Sequence, residues 1–305
     1  MNKISIIIPT YNRIDSLNRT LAYLKKSIIK PYEIIIVDQS GPDFSERIRK
    51  MCLEDNNVKY HHLSKPSLTS ARNVGIQMSM GDILLFMDDD VDVKSETLTN
   101  VIELFKDEDL VIVGGVDKYH FYHNSLIGYF FGKSKWSKRF QGHMSSGIYG
   151  RFPLVCEEFT PTEWTMGFCF AVRKDFVINN DCKFDENFQF YAYAEDLDFS
   201  YGIYRLAKRA GKKCIISNKL TVNHNVTSEY RTTTKKTTFM NYLHRYYICK
   251  KYNLSEIKYW WCNFGDLFYK IKKRDSLKDY FSAIIFLIKN KNRVAKGEFL
   301  YEKFM

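Results

Sequence analysis

Three consecutive aspartates, Asp88, Asp89 and Asp90, close the apolar run Ile83-Leu84-Leu85-Phe86-Met87. Carboxylates this close repel one another and need counter-charge. A divalent cation such as Mg²⁺ or Mn²⁺, shared with phosphate oxygens, supplies it; the competing reading is a solvated acidic turn whose last carboxylates cap a helix. Arg72 lies upstream on a helical pattern with Asn73, where its planar fork suits a diphosphate or a nucleobase edge; otherwise it is a surface arginine. Asp38 can accept hydrogen bonds from a base or ribose, or can simply open the turn Gln39-Ser40-Gly41. Glu195-Asp196 follows the aromatic run Phe188 to Tyr193 and opens a helix, where the macrodipole favours a carboxylate whatever its task. The functional reading is a general base beside an aromatic wall, with Asp198 as a rival carboxylate. His224 ends a short strand. A lone histidine is more often structural, but an acidic site that wants a dication raises its standing as a ligand. His61-His62 reads as structural.

Those side chains need elements to hold them, and the pattern supplies alternating strands and helices. Ile4 to Ile8 reads as a buried strand ended by Pro9, followed by a helix from about Asp15. Strands follow at Glu33 to Val37, Val58 to His62, Ile83 to Met87 and Leu110 to Val113, with helices at Phe44 to Leu53, Ser67 to Met80 and Ser95 to Phe105. Continuously apolar strands alternating with helices predict an α/β domain whose mostly parallel sheet is covered on both faces. In such sheets ligands bind beyond the carboxyl ends of the strands. Thr10 and Tyr11, Asp38 and the aspartate triplet all fall there. Residues 121–160 are rich in Gly, Ser and aromatics and read as a long, mobile functional loop. Strand pattern returns at Met166 to Val172, a helix runs from Ala194 to Gly211, and Lys213 to Ser217 and Leu220 to His224 read as two short strands.

Charge divides the chain unevenly. Residues 1–218 carry 28 Lys+Arg against 28 Asp+Glu, whereas residues 219–305 carry 18 against 7. A neutral body therefore bears a basic tail, which argues for an anionic surface near the tail. From about Thr234 the tail has helical spacing, with Tyr242, Tyr246, Trp260, Trp261, Phe264, Leu267 and Phe268 as its apolar face. The 45% hydrophobic content excludes a largely disordered chain. Seven scattered Cys without a C-x-x-C pair favour a reducing cytosol over a disulfide framework. No secretory signal is visible, and no apolar run reaches the roughly 20 residues of a spanning helix.

The ordered set Ser5-Ile6-Ile7-Ile8-Pro9-Thr10-Tyr11-Asn12-Arg13, Glu33 to Asp38, Ala71-Arg72-Asn73-Val74-Gly75, Gly81-Asp82, Phe86 to Asp90, Met166-Gly167 and Glu195-Asp196-Leu197-Asp198 resembles the inverting family 2 glycosyltransferases of the GT-A fold, bacterial non-processive type. The resemblance covers roughly 1–226, leaving 227–305 as a basic aromatic helical extension. It implies that Pro9, Thr10, Tyr11, Arg13 and Asp38 hold the donor's base and ribose and that Arg72 contacts the nucleotide. Asp88 and Asp89 would touch ribose or metal, and Asp90, with Asp88 and His224, would hold Mn²⁺ or Mg²⁺. Asp196 would be the catalytic base and Glu195 its neighbour shaping the acceptor site. The implied reaction is inverting transfer of a sugar from a nucleoside-diphosphate sugar, UDP by default, to an acceptor hydroxyl. That acceptor would be a glycan or lipid-linked intermediate of bacterial surface polysaccharide synthesis. The absence of a Q-x-x-R-W motif and of spanning helices argues against a processive synthase.

The tail is expected to lie on an anionic membrane at the cytoplasmic face, or to pack as a cap or homo-oligomer contact. Two rival classes share part of this pattern. A nucleotidyltransferase making sugar nucleotides would share the sheet and acidic site but usually shows a Gly-rich loop where Pro9-Thr10-Tyr11-Asn12 stands. A nucleic-acid-binding protein fits the tail but not the neutral body with its converging carboxylates, so no nucleic-acid partner is expected.

Overall fold

The computed structural model describes residues 2–118, 125–190, 192–225, 234–273 and 276–304. The first half builds β1 (Ile4–Thr10), α1 (Ile14–Lys25), β2 (Glu33–Asp38), α2 (Pro42–Leu53), β3 (Val58–His62), α3 (Leu68–Met78), β4 (Ile83–Met87), β5 (Val91–Asp92), α4 (Thr97–Leu104) and β6 (Leu110–Asp117). Beyond it come α5 (Leu126–Phe130), β7 (His143–Met144), β8 (Gly150–Arg151), β9 (Thr160–Pro161), β10 (Cys169–Arg173), α6 (Lys174–Asn179), α7 (Glu195–Arg209) and β11 (Lys213–His224). The helices α8 (Thr234–Lys251), α9 (Glu256–Lys273) and α10 (Leu277–Val294) follow, then a single 3₁₀ turn at Tyr301–Lys303.

Alternation along β1 explains the layers. Ile4, Ile6 and Ile8 face one core with Leu17 and Leu21 of α1, Ile48 of α2 and Leu98 of α4. Ile7 faces the other, with Ala71 and Ile76 of α3, Phe176 of α6 and Phe199 and Ile203 of α7. Both faces of β1 are thus dry, and each of its isoleucines contributes about 1.5–3 kcal/mol by leaving water. Gly75 lets α3 press on the sheet, because a Cβ there would lie 2.3 Å from Ile7.

The sheet runs β3-β2-β1-β4-β10-β6-β11-β5, with β9 beside β11. β1, β2, β3 and β4 are parallel, with Thr10 opposite Asp38 and Ile7 opposite Phe86. β10 runs antiparallel between β4 and β6, so the sheet is mostly rather than wholly parallel. The expected pair of strands at 213–224 is a single strand whose pairing with β6 is irregular between Ile216 and Thr221. That continuity matters, because the far end of β11 pairs His224 with Val91 just after the aspartate triplet.

The tail folds as three helices, and its expected apolar face divides. Tyr242 and Tyr246 of α8 are buried in a core shared with Met144, Ile148, Phe152, Phe188 and Leu197. Trp261, Phe264 and Phe268 of α9 are exposed. The segment expected to be a mobile loop sends Met144, Ile148 and Phe152 into this same core while much of its 125–140 stretch stays exposed; residues 121–124 of it lie outside the described residues. All seven cysteines are free thiols. Among the described residues no helix is long and apolar enough to cross a membrane.

Candidate active site

The carboxyl ends of β1, β2 and β4 bring Thr10, Asp38 and the aspartate triplet to one edge of the sheet. Thr10 Oγ1 donates to Asp89 Oδ2 at 2.7 Å, tying the first strand to the fourth. Asp38 is buried, accepting from the Ser40 amide at 2.9 Å and the Tyr60 hydroxyl at 2.8 Å. Pro9 is buried beside it in β1, opposite Val37, while Tyr11, just beyond the strand, is exposed. Asn12 takes a left-handed φ of 56°, which turns the chain so that Arg13 points back at the acids.

Arg13 clamps two of them. Its terminal nitrogens lie 2.7 Å from Asp89 Oδ1 and 2.6 Å from Asp90 Oδ2. Arg72, only 2% exposed, spans the other direction, with contacts to Asp88 (3.1 Å), to Glu195 and to the Gly167 carbonyl. It is not a surface arginine: in this geometry it orders carboxylates from β4 and α7 around one point. His224 Nε2 lies 3.2 Å from Asp90 Oδ1, and its ring stacks on Phe168 with centroids 5.0 Å apart.

The Glu195-Asp196 pair opens α7, and the structure separates the three carboxylates of that first turn. Glu195 is buried against Arg72. Asp198 is buried against Lys251 of α8 at 2.7 Å. Asp196 is half-buried and held by backbone amides, accepting from Gly167 at 2.9 Å and Leu197 at 2.7 Å. Of the three it alone has no cation within ion-pair distance among the described residues. The approach to it is strained: Phe190, Ala192 and Ala194 all have positive φ, 58°, 48° and 67°.

Charge around the crevice is out of balance. Five carboxylates (Asp88, Asp89, Asp90, Glu195, Asp196) meet two guanidinium groups (Arg13, Arg72). Burial pushes Asp89 up to about 7, against the pull of Arg13 and Thr10. Burial likewise raises Glu195, with the Asp196 charge adding to it and Arg72 opposing. Asp90 goes the other way: burial would raise it, but His224 and Arg13 hold it below the ordinary carboxylate range. Burial lowers His224's affinity for a proton, yet Asp90, Asp88 and Asp117 together raise it.

One ligand atom each from Asp88, Asp90 and His224 lies within 4.8 Å of the others. Asp90 Oδ1 is buried and accepts no hydrogen bond of good geometry. Two oxygens and one imidazole nitrogen on a surplus of negative charge fit a divalent cation of the Mn²⁺ or Mg²⁺ kind.

The family 2 glycosyl transferase model matches residues 5–178, more than half of the chain and the stretch that carries the sheet ends and the aspartate triplet. The chain belongs to glycosyl transferase family 2. Curated relatives share stretches of it. An uncharacterized glycosyltransferase of Rickettsia conorii is 36% identical over 91 residues, 29% of this chain and 15% of that protein. Poly(ribitol-phosphate) beta-N-acetylglucosaminyltransferase TarP of Staphylococcus aureus is 30% identical over 118 residues, 37% of this chain and 36% of the relative. The chain thus matches a minor part of these relatives' length. Over most of its length the fold is that of GT-A enzymes. A mannosyltransferase of Pyrobaculum calidifontis, solved with GDP-Man and Mn²⁺, superposes with a TM-score of 0.58 at 12% identity, covering 94% of this chain and 75% of that one. Staphylococcus aureus TarS 1-349 gives 0.54 at 16% identity, covering 98% and 88%.

For a family 2 chain, the supporting residues behind Asp196 were the ones sequence reasoning missed. His244 Nδ1 meets the Tyr193 carbonyl at 2.7 Å and its Nε2 meets the Tyr301 hydroxyl at 2.8 Å. The Tyr301 hydroxyl donates to the Asn187 carbonyl (3.0 Å) and accepts from the Gln189 amide (3.1 Å). Lys251 bridges Asp185 and Asp198. A histidine and a lysine on a tail helix carry no local signal of a partner more than 50 residues away.

Proposed function

We propose that this family 2 chain is an inverting, divalent-metal-dependent glycosyltransferase whose general base is Asp196. The observation that carries the reading is the separation within the first turn of α7, where Glu195 and Asp198 are neutralised by Arg72 and Lys251 while Asp196 stays half-open. A base must be within hydrogen-bond reach of the hydroxyl it deprotonates, and a carboxylate already held in an ion pair is the weaker candidate.

Pro9, Thr10, Tyr11 and Asp38 bind the donor's base and ribose at the ends of β1 and β2, with Arg13 holding Asp89 and Asp90 behind them. Arg72 fixes Asp88 and Glu195 so that donor and acceptor halves share one frame. A divalent cation held by Asp88, Asp90 and His224 would supply positive charge to the departing diphosphate. Asp196 takes the acceptor's hydroxyl proton as that oxygen bonds to the anomeric carbon. The bond to the donor phosphate breaks on the opposite side, its electron pair leaving with the nucleoside diphosphate, and a single displacement inverts the configuration.

UDP is the default carrier, although structural neighbours were solved with both GDP-Man and UDP. The proposed acceptor is a glycan or lipid-linked intermediate of surface polysaccharide synthesis. TarP's name specifies poly(ribitol-phosphate), and a Campylobacter jejuni relative, 26% identical over 106 residues, is named for an undecaprenol-linked acceptor. Such an acceptor suits a cytoplasmic enzyme held peripherally at the inner face of the membrane, alone or as a homo-oligomer.

A panel of sugar nucleotides tested by thermal shift with Mn²⁺, then with EDTA, checks this reading. One sugar nucleotide should raise the melting temperature only with the metal, and Asp90→Ala should abolish that shift. A panel with no metal-dependent shift would count against it.

A further inference from the structure

Helix α9 shows solvent a row of large apolar side chains, Ile257, Trp261, Phe264, Phe268 and Ile271. Steps of four and three residues keep them on one face, a stripe about 21 Å long at 1.5 Å per residue. Beside it α5 exposes Leu126, Ile127 and Phe130. Phe131 fills the seam, its ring 5.2 Å from Trp261 and 5.6 Å from Phe268, and Trp261 Nε1 donates to the Phe130 carbonyl at 3.1 Å. A contiguous patch of this kind marks an interaction face, unlike apolar residues scattered singly.

Charge indicates what the face meets. Arg139 lies 4.6 Å from the ring centres of both Trp136 and Phe140, which are themselves exposed. Burial, with the ammonium groups of Lys138 and Lys258 close by, pulls Lys135 below its ordinary value, so three lysines share one neighbourhood where Glu163 is the opposing charge. Glu163 is itself paired with Lys138. An anionic bilayer answers both features, taking aromatic rings at headgroup depth and cations beside its phosphates.

We propose that the α5–α9 face docks the protein flat on a membrane rich in anionic lipids, with Phe130, Trp261, Phe264 and Phe268 at the headgroup level. This deepens the peripheral-membrane part of the functional reading and rests on it, but not on any catalytic assignment. The buried tyrosines of α8 take no part.

The test is co-sedimentation of the whole chain with vesicles of phosphatidylcholine, alone or mixed with phosphatidylglycerol. Binding should be at least about tenfold stronger to the anionic vesicles and should weaken with salt. Leu126→Ser, Phe130→Ser and Ile257→Ser together should reduce it by about tenfold or more, and Lys258→Glu with Arg139→Glu should remove the anionic preference. A thermal melt establishes that both variants remain folded. If the wild type binds anionic vesicles and the triple variant binds equally well, the face is wrong while the peripheral reading stands. If the wild type binds no vesicle, both fail. If the wild type instead forms a dimer that the triple variant loses, a second copy covers the face and the proposal is overturned.

Discussion

Along β1, β2 and β4 the polar residues project from strands buried over their whole length, whereas Asp196 stands on a helix entered through left-handed residues and held from behind by the tail. The first region gets its geometry from regular pairing: Thr10 faces Asp38 because their strands are in register. The second gets it from contacts distant in sequence, with His244, Lys251 and Tyr301 reaching residues 185–198. The difference teaches that a cluster of polar strand ends can be written locally, while a carboxylate on a strained helix entry needs an external brace.

Breaking the link between the two regions should have the largest effect. Arg72→Ala leaves buried Glu195 and half-buried Asp88 without their cation, a loss of about 3–5 kcal/mol by chemical denaturation. Arg72→Lys should rescue little, because one ammonium cannot hold both carboxylates.

The brace should also titrate. Burial pulls His244 down to about 4 despite the Tyr193 carbonyl and the Asp185 charge, and its ring otherwise faces Phe188, Phe299 and the Tyr301 hydroxyl. Between about pH 6.5 and 4 the unfolded chain therefore binds the proton that the folded chain refuses, and stability falls as pH falls. The loss reaches roughly 3 kcal/mol at the acid end. Denaturant midpoints followed across that window should fall in the wild type and fall less in His244→Gln.

Tyr301→Phe removes the hydroxyl that meets buried His244 Nε2 and links the Asn187 carbonyl and the Gln189 amide, costing about 1–3 kcal/mol. Its sharper readout is kinetic: on the proposed roles, kcat should fall while donor affinity stays put. Ala194→Gly is the smallest change, since glycine accepts φ of 67° without steric cost. It should alter stability by no more than about 1 kcal/mol and lower turnover by loosening the entry to α7.

The same contrast explains what the sequence made legible. β1, β2 and β4 stood out because both faces of each strand are dry, and the aspartates because three like charges in a row demand an explanation. The antiparallel direction of β10 did not stand out, since an apolar run says nothing of its direction. Nor did the division of the tail: Tyr246 and Trp261 look alike on a helical pattern, yet one is buried against the catalytic body and the other faces water. The choice among Glu195, Asp196 and Asp198 needed Arg72 and Lys251 in place, and no spacing rule couples residue 198 to residue 251.

Asp196→Asn, assayed for donor binding by calorimetry and for transfer with the cognate sugar nucleotide, bears most directly on the account. Turnover should fall by about 10²–10⁴-fold with donor affinity near that of the wild type. Near-normal turnover in this variant would contradict the assignment of the base and, with it, the division of labour between the two regions.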